Sequence, residues 1–586
     1  MIFLWSVLTG LLLCGHRSNA NPIEKRSGGN TEFIILHNND MHARFEQTNV
    51  KSGKCSPKEV NTNKCYGGFA RVAYEVRKYR AEAQNGGTPV LYLNAGDTYT
   101  GTPWFTIFKD NITAAFLNKL QPDAISLGNH EFDEKVEGLI PFLNNVDFPV
   151  LACNLDLSKV PELAAANNLA NSTILEVNGL KVGIIGYVTP DTKKLTVRND
   201  VEFLDEIVSI NAESAKLTAQ GIQIIIALGH SGYIKDQEIA KNCPDVDIVI
   251  GGHTNTFLYN GKKPDAEAIE GPYPTQVKRK DGKVVPVVQA YAYTKYLGKL
   301  HVKFDSDGNL VEFDGAPILL NASVEQEKEL LDLLDLYRPN ITALDSQVVG
   351  HTKVDLEGSS SVCRARECNL GNLVADSMVF ARVMELNASK YWTDAPIAFI
   401  QGGGIRNSIM KAANGSITAS DVLSVLPFQN GLYITRITGK ALRNSLEHSA
   451  SVVGTDSNGG FLQLSGARVQ YDYGKPKGQR VVALEVRCAK CDIPSYEALN
   501  ETAFYNVIVD EFLLLNGDGY ELIDKTNPYS VRLQNIDADA LIHYLQMHKF
   551  VYPGLEGRIL SRSSATNIFI SLALMLFSFI LTQLCN

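Results

Sequence analysis

Apolar runs alternate with stretches of helical spacing from Glu32 to about residue 320. The runs are continuous and rich in valine, isoleucine and leucine, which is typical of strands covered on both faces of a sheet. Helical spacing falls between them, over residues 69–83 and 136–144. The pattern therefore predicts an α/β fold with strands at residues 33–36, 90–93, 124–127, 182–185, 222–228 and 246–250.

A charged amphipathic segment at 324–336 separates this block from a second one, which begins near Val348 and has its own α/β alternation. We interpret the segment as a helix that connects two domains, and a helix packed within one domain is the alternative. The length of 586 residues agrees with two domains, because a single hydrophobic core rarely grows beyond about 300 residues. The predicted division is a first domain at 31–322, a linker at 323–346 and a second domain at 347–560.

Both ends of the chain carry apolar segments. Residues 2–13 form an apolar run followed by small residues up to Ala20, which predicts a secretory signal over residues 1–20. Residues 568–584 are apolar and uncharged, and small residues precede them. This arrangement favours a glycosylphosphatidylinositol (GPI) attachment signal over residues 561–586. A single membrane-spanning helix is the alternative, although no Lys or Arg follows the apolar segment.

A secreted chain with such a tail is expected at the cell surface, held in the membrane by a lipid anchor. Glycosylation motifs fit this location, since Asn-x-Ser/Thr is the acceptor sequence for glycans in secreted proteins. The motifs lie at Asn111, Asn171, Asn321, Asn340, Asn387, Asn414 and Asn500.

Charge and cysteine usage narrow the class of protein. The net charge of −9 argues against a partner such as nucleic acid, whose backbone requires a basic surface. Cys153 and Cys243 are expected to be buried thiols, with a bridge between them left open. The other cysteines outside the terminal segments form close pairs, which predict local disulfides of an oxidising compartment. The pairs are Cys55–Cys65, Cys363–Cys368 and Cys488–Cys491, of which the last has half a zinc site as its alternative.

Polar residues end almost every predicted strand of the first block. Ligands in open α/β folds lie beyond the carboxyl ends of the strands, and carboxylate, imidazole and amide groups gathered there can hold divalent metals. Any one of them alone is a weak signal, because a single buried histidine such as His230 is more often a satisfied core residue. Together, the polar residues at the strand ends predict a site for divalent metals. They are Asp40, His42, Asp97, Asn129, His130, His230, His253 and Asn255.

The order of these clusters matches the calcineurin-like metallophosphatases, and the surrounding sequence closely resembles the ecto-5′-nucleotidases. The resemblance extends from about residue 32 to 560, with matching stretches at 37–42, 95–97, 127–133, 227–232 and 251–259. It implies a four-layer metallophosphatase β-sandwich with flanking helices, joined by a helix to a C-terminal α/β 5′-nucleotidase domain. It also implies extracellular hydrolysis of nucleoside 5′-monophosphates, AMP above all, to nucleoside and phosphate.

The same resemblance assigns the strand-end residues to two divalent ions. Zinc, which the family usually uses, suits a mixed nitrogen and oxygen ligand set. Asp97 would bridge both ions. The ligands of the first ion would be Asp40 and His42, with Asn255 as a weaker one, and those of the second Asn129, His230 and His253.

His130 and Asp133 are three residues apart, so their side chains can meet on one helical turn. By resemblance they form a dyad, in which His130 contacts the phosphoryl group and Asp133 orients the imidazole. An N-terminal helix cap is the alternative role for Asp133, and the two roles can coexist.

The second block resembles the substrate-binding domain of the family. Arginines within cysteine-closed or glycine turns suit bidentate contacts to phosphate oxygens. Two phenylalanines match the pair that sandwiches the base, and one aspartate matches the carboxylate that accepts from the ribose hydroxyls. Each has a structural alternative, namely a tight turn, a core aromatic or a hairpin at Asp-Gly. The implied substrate contacts are Arg364, Gln401, Gly404, Arg406, Phe428, Phe512 and Asp518.

The chain departs from the family in two places. Gln401 stands where ecto-5′-nucleotidases usually have Asn, and Ala375 and Ala398 replace a disulfide usual in vertebrate relatives. Apyrase-type hydrolysis of ATP and ADP is the nearest alternative function, and a non-catalytic binding protein on the same fold is the most distant. The oligomeric state is left open, with a homodimer as one possibility.

Overall fold

The computed structural model describes residues 31–386, 390–455, 458–522 and 528–562. The predicted secretory signal at 1–20, the sequon at Asn387 and residues 563–586 of the predicted GPI signal lie outside these described residues. Within the described ranges, no helix combines the length and the apolarity needed to cross a membrane.

Two sheets stack face to face in the first domain, and apolar side chains such as Phe33, Leu93, Ile226 and Ile248 fill the space between them. The central strands run parallel, as the pairing of Ile34 with Val90 shows. Across the first sheet the strands are Leu310–Gly315, Tyr296–Phe304, Thr31–Asn38, Val90–Asn94, Ala124–Ser126, Val150–Leu151 and Leu169–Ala170, with Ile318–Leu319 beside Tyr296–Phe304. Across the second they are Thr275–Lys278, Val284–Val288, Ile248–Ile250, Ile224–His230, Leu180–Val188 and Ser172–Val177, and a separate pair joins Leu155–Asp156 to Glu202–Phe203.

Helices cover the outer face of each sheet. Phe69, Phe116 and Leu139 pack on the first sheet, and Ile210 and Ile239 pack on the second. The result is four layers, which confirms the predicted α/β sandwich with strands covered on both faces. The helices of this domain are Pro57–Asn61, Phe69–Gln84, Pro103–Leu120, Lys135–Asn145, Pro161–Ala164, Thr192–Leu195, Glu206–Ala219 and Tyr233–Asn242, with a 3-10 turn at His130–Phe132.

The connecting helix runs from Lys328 to Ser346, so it lies within the predicted linker at 323–346 but begins later and ends later than the charged segment at 324–336. It continues past Pro339, although proline removes one intrahelical hydrogen bond. Leu334 and Ile341 are buried in the core of the first domain on either side of this proline. Burial of that apolar stripe offsets the lost hydrogen bond, and the helix therefore extends to the border of the second domain.

The described residues of the second domain form their own core and three sheets. Its largest sheet orders the strands Leu462–Ser465, Ile397–Gln401, Phe504–Asp510, Gly431–Thr438 and Ser530–Ile536. The smaller sheets are Ser416–Thr418, Val348–Thr352 and Phe550–Val551, and Tyr496–Ala498, Val481–Arg487, Ala467–Asp472 and Ile559–Arg562. Helices are Ser360–Cys363, Asn369–Glu385, Ala419–Val425, Gly439–Ser451, Glu511–Leu514 and Asp537–His548, with 3-10 turns at Gly402–Gly404, Asn458–Gly460 and Gly517–Gly519.

Three disulfides join the cysteines that the close spacing predicted: Cys55–Cys65, Cys363–Cys368 and Cys488–Cys491. Because Cys488 and Cys491 are bonded to each other, they do not form half of a zinc site. Cys243 is a buried free thiol and Cys153 a half-buried one. Ala375 and Ala398 are fully buried in the core of the second domain, where small apolar side chains fill the places of the absent bridge.

Candidate metal centre and substrate cleft

The predicted metal ligands lie on loops at the carboxyl ends of the central strands. Several of them take left-handed backbone conformations, with φ of 49° at Asp40, 45° at His42, 55° at Asp97, 80° at His253 and 54° at Asn255. Such conformations are uncommon for residues other than glycine and cluster where function requires them. Here they turn the side chains of several loops toward one point.

Asp97 is common to two clusters of potential ligand atoms found among the described residues. One consists of His42, Asp97 and His130, and the other of Asp97, His230 and His253. Asp97 Oδ2 lies 2.9 Å from His230 Nε2 and 3.9 Å from His42 Nε2. A carboxylate in this position faces both clusters at once.

Neighbouring groups fix the orientation of the imidazoles. His230 Nδ1 lies 2.6 Å from the Ala95 carbonyl oxygen, and His42 Nδ1 lies 3.1 Å from that of Thr100. A carbonyl accepts only, so each Nδ1 carries the proton and each Nε2 is left with its lone pair facing the centre. Asp40 is held by its neighbours too, since its Oδ2 accepts from the side chain of Asn39 and from the His253 amide.

The donor set fits a divalent cation. Among the described residues, no hydrogen-bond donor satisfies Asp40 Oδ1 or Asn255 Oδ1, although both atoms are buried. Burial raises the pKa of Asp40 to about 6, and burial together with His230 lowers the pKa of His253 to about 3. Burial works against a charged His230, yet the Asp97 and Asp40 carboxylates raise its pKa to about 10, so a bound metal would take the place of the proton on Nε2. Buried oxygens without donors, crowded against imidazole nitrogens, are what a bound metal would satisfy.

His130 and Asp133 are in contact, with His130 Nδ1 donating to Asp133 Oδ2 over 2.7 Å. The other ring nitrogen, Nε2, lies 4.0 Å from Asp97 Oδ2. Burial opposes protonation of the ring, but Asp133 and Asp97 prevail and raise the pKa of His130. Asp133 ends the 3-10 turn and makes no helix N-cap, so the alternative role for this residue is wrong.

A single cleft between the two domains contains the predicted residues of both. His130, Asp133, His253 and Asn255 line it from the first domain, while Asp40 and His230 lie behind this surface, fully buried. From the second domain it is lined by Arg364, Gln401, Gly404, Arg406, Phe428, Phe512 and Asp518.

Two arginines enter the cleft from turns of the second domain. The Cys363–Cys368 disulfide closes the turn that carries Arg364, and burial together with Arg406 lowers the pKa of Arg364 to about 10. Arg406 Nη2 lies 3.4 Å from His42 Nε2, so its guanidinium reaches across to the metal centre. Two guanidinium groups that repel each other in one cleft favour a bound anion.

The two phenylalanines are half-buried walls of the cleft, and neither is a fully buried core residue. Phe428 stacks on the His130 ring, with centroids 5.9 Å apart and an angle of 26°. Phe512 lies against Gly517, where a Cβ atom would come within 2.5 Å of the ring. Glycine is therefore required beside Phe512, because any side chain at position 517 would displace the ring.

Asp518 lies in the turn Gly517–Gly519, which follows the short helix Glu511–Leu514 and is not a hairpin between strands. Burial raises the pKa of Asp518 to about 7, although Arg364 acts to lower it. Gln401 lies beside Asp510, a buried carboxyl that also accepts from Asn430. Amide and carboxyl groups therefore line the same cleft as the aromatic pair.

Sequence reasoning missed several lining residues. Leu195, Thr196 and Val197 of the first domain form a wall of the cleft, yet they belong to no motif and lie at the end of a four-residue helix. Asn430 also lines it, two residues beyond Phe428. Arg44 is buried, donates to the His42 carbonyl oxygen and stacks on Tyr293. Arg44 lies behind the cleft, and both Arg44 and Asn430 had a sequence signal, since each lies two residues beyond a predicted site residue.

Known proteins share this architecture. Residues 33–257 match the calcineurin-like phosphoesterase family, and residues 348–525 match the 5′-nucleotidase C-terminal domain. The chain is 46% identical over 540 residues to "Protein 5NUC" of Lutzomyia longipalpis, covering 91% of this chain and 93% of the relative. It is 41% identical over 536 residues to 5′-nucleotidase of Homo sapiens, covering 91% of each. A crystal structure of a 5′-nucleotidase precursor from Thermus thermophilus has a TM-score of 0.81 and 35% identity, covering 90% of this chain and 99% of that one.

Proposed function

Because the chain belongs to the 5′-nucleotidase family, we propose that it hydrolyses nucleoside 5′-monophosphates, AMP above all, to nucleoside and phosphate outside the cell. One observation carries the proposal: a single cleft joins the Asp97-centred ligand cluster to the aromatic pair of the second domain. The first can act on a phosphoryl group and the second can hold a base. The protein is a metal-dependent phosphoric monoester hydrolase.

The centre is that of a two-metal phosphatase, and we propose zinc as the metal because imidazole nitrogens and carboxylate oxygens share the donor set. When bound, such ions stabilise charge on phosphate oxygens and lower the pKa of water. The proposed ligands are Asp40, His42, Asp97 and Asn255 for one ion, and Asp97, Asn129, His230 and His253 for the other.

The residues around this centre supply orientation and charge. Asp133 holds the His130 ring so that Nε2 faces the cleft, where it can donate to a phosphoryl oxygen in the transition state. Arg406 and Arg364 would bind the remaining phosphate oxygens, since guanidinium groups suit bidentate contacts. Both arginines come from the second domain, so the phosphate would be bound by both domains together.

The nucleoside would lie between the rings of Phe428 and Phe512. Asp518 would accept hydrogen bonds from the ribose hydroxyls, and Gln401, with the backbone at Gly404, would lie along the base. We further propose that residues 31–322 and 347–560 are the two domains and that 323–346 joins them. A homodimer stays a prediction.

Phosphate release from AMP, ADP and ATP, measured in parallel on the purified protein, tests the substrate assignment. We expect AMP to have the highest kcat/KM, because relatives that share 41% of this sequence are named 5′-nucleotidases. Faster release from ATP or ADP would replace the nucleotidase assignment with the apyrase-type one. A protein with bound metal that releases phosphate from none of the three would contradict both.

Membrane attachment gives a separate prediction. Phosphatidylinositol-specific phospholipase C cuts GPI anchors, so treatment of intact cells should move the activity into the medium. The measurement is AMP hydrolysis in the supernatant and in the washed cells, with a known GPI-anchored enzyme as the control. If the control is released and this activity stays on the cells, residues 568–584 are a membrane-spanning helix instead.

A further inference from the structure

Glu131 is a buried carboxylate whose role no part of the proposed mechanism explains. It follows His130 in the 3-10 turn and is 2% exposed. It is not among the residues that line the cleft, although His130 and Asp133 on either side are. A substrate in the cleft would therefore not touch it.

The Glu131 carboxylate accepts four backbone N–H groups from two loops. Oε2 accepts from Asp97 at 3.0 Å and from Gly128 at 2.7 Å. Oε1 accepts from Thr98 at 2.7 Å and from Tyr99 at 3.2 Å. Charge-assisted bonds of this kind are about twice as strong as neutral ones. One side chain thus fastens the loop of the shared ligand Asp97 to the loop that leads into Asn129.

The loops that contain Asp97 and Gly128 are in close contact. A Cβ atom at Gly128 would lie 2.2 Å from Asp97 Oδ1, and the His130 amide donates to that same oxygen over 2.9 Å. Asp97 also has a left-handed backbone conformation, which needs support from its surroundings. The four hydrogen bonds to the Glu131 carboxylate provide this support.

We propose that Glu131 is a positioning residue for the metal centre: it sets the backbone at Asp97 and Gly128 so that the Asp97 carboxylate and the Asn129 amide face the metals together. The inference rests on the metal centre of the proposed function. It differs from a general stabilising role because it assigns Glu131 an effect on metal affinity as well as on folding.

Glu131→Gln tests it, because the amide nitrogen cannot accept the two N–H groups that one carboxylate oxygen accepts. We expect zinc affinity, measured by calorimetric titration of chelator-treated protein with Zn²⁺, to fall about 10- to 100-fold, the usual effect of losing an outer-sphere partner. The kcat for AMP should fall in the same range, while KM changes less than about threefold because Glu131 is outside the cleft.

Glu447→Gln is the matched control. Glu447 is a buried carboxylate of the second domain that accepts the backbone N–H groups of Arg480 and Val481, each over 2.8 Å, and it does not line the cleft. This variant should lower the melting temperature and leave zinc affinity unchanged. If Glu131→Gln behaves in the same way, its role is structural only and the proposal fails.

If Glu131→Gln does not fold, Glu131→Asp is judged by the same titration, since it keeps the charge on a side chain one methylene shorter. Wild-type zinc affinity in that variant would overturn the proposal. The titration needs no substrate, so a wild-type protein that binds zinc but does not hydrolyse AMP would contradict the proposed function and leave the role of Glu131 standing.

Discussion

Asp97→Asn should remove nearly all turnover of AMP and of p-nitrophenyl phosphate. Asp97 is the one side chain that both ligand clusters of the described residues share, and a neutral amide cannot bridge two cations well. The loss should exceed the ~10–100-fold that follows removal of an outer-sphere partner. The amide oxygen of Asn can still accept from the His130 amide, as Asp97 Oδ1 does, so the loops should keep their shape.

The measurements are kcat for both substrates, bound metal per chain and the melting temperature. Asp247→Asn is the matched control, because Asp247 is buried in the same domain, away from the cleft, and accepts from the Ile225 amide and from Lys283. That variant should bind metal and turn over substrate normally. Near-wild-type phosphate release from Asp97→Asn would contradict the two-metal assignment.

Phe512→Ala should lower kcat/KM for AMP while sparing p-nitrophenyl phosphate, which has no base to stack. Aromatic stacking on a nucleic-acid base contributes about 1–3 kcal/mol, which corresponds to a loss of roughly 5- to 150-fold. Phe428→Ala should cost a similar factor on AMP. Because Phe428 also stacks on His130, we expect this variant to lose some activity on the generic ester as well.

The measurement is kcat/KM for AMP and for p-nitrophenyl phosphate on each variant. The control is a phenylalanine that contacts neither substrate. Phe504 of the second domain is 56% exposed and away from the cleft, so Phe504→Ala should change neither rate. Equal losses on AMP and p-nitrophenyl phosphate for Phe512→Ala would mean that the ring is only part of the domain's structure. The second domain would then not bind the base through this pair.

Both predictions depend on the two domains facing each other across one cleft. The proposed metal ligands belong to the first domain and the phenylalanines to the second, and Arg406 of the second domain lies beside His42 of the first. Interdomain motion is the usual expectation for such pairs, and closure commonly completes a site. In the described arrangement the rings of His130 and Phe428 stack across the cleft.

The sequence by itself determined the strands of the first domain and the candidate metal ligands. Continuous apolar runs have one stable environment, a sheet covered on both faces, and polar residues that end parallel strands must meet at one edge. Close spacing determined the disulfides too, because Cys363 and Cys368 are near each other in any compact conformation. Each of these patterns involves residues that are close together along the chain, so each can be identified from the sequence.

The tertiary structure decided what depends on segments that are distant along the chain. The connecting helix passes Pro339 because Ile341 is buried against another part of the fold, which no periodicity shows. Leu195 and Val197 line the cleft because their domain closes on the other one. Glu131 lies two residues after Asn129, yet it accepts hydrogen bonds from the amides of Asp97, Thr98 and Tyr99, more than thirty residues earlier. Such contacts form only when folding brings separate loops together, so their physical cause lies in packing and not in sequence order.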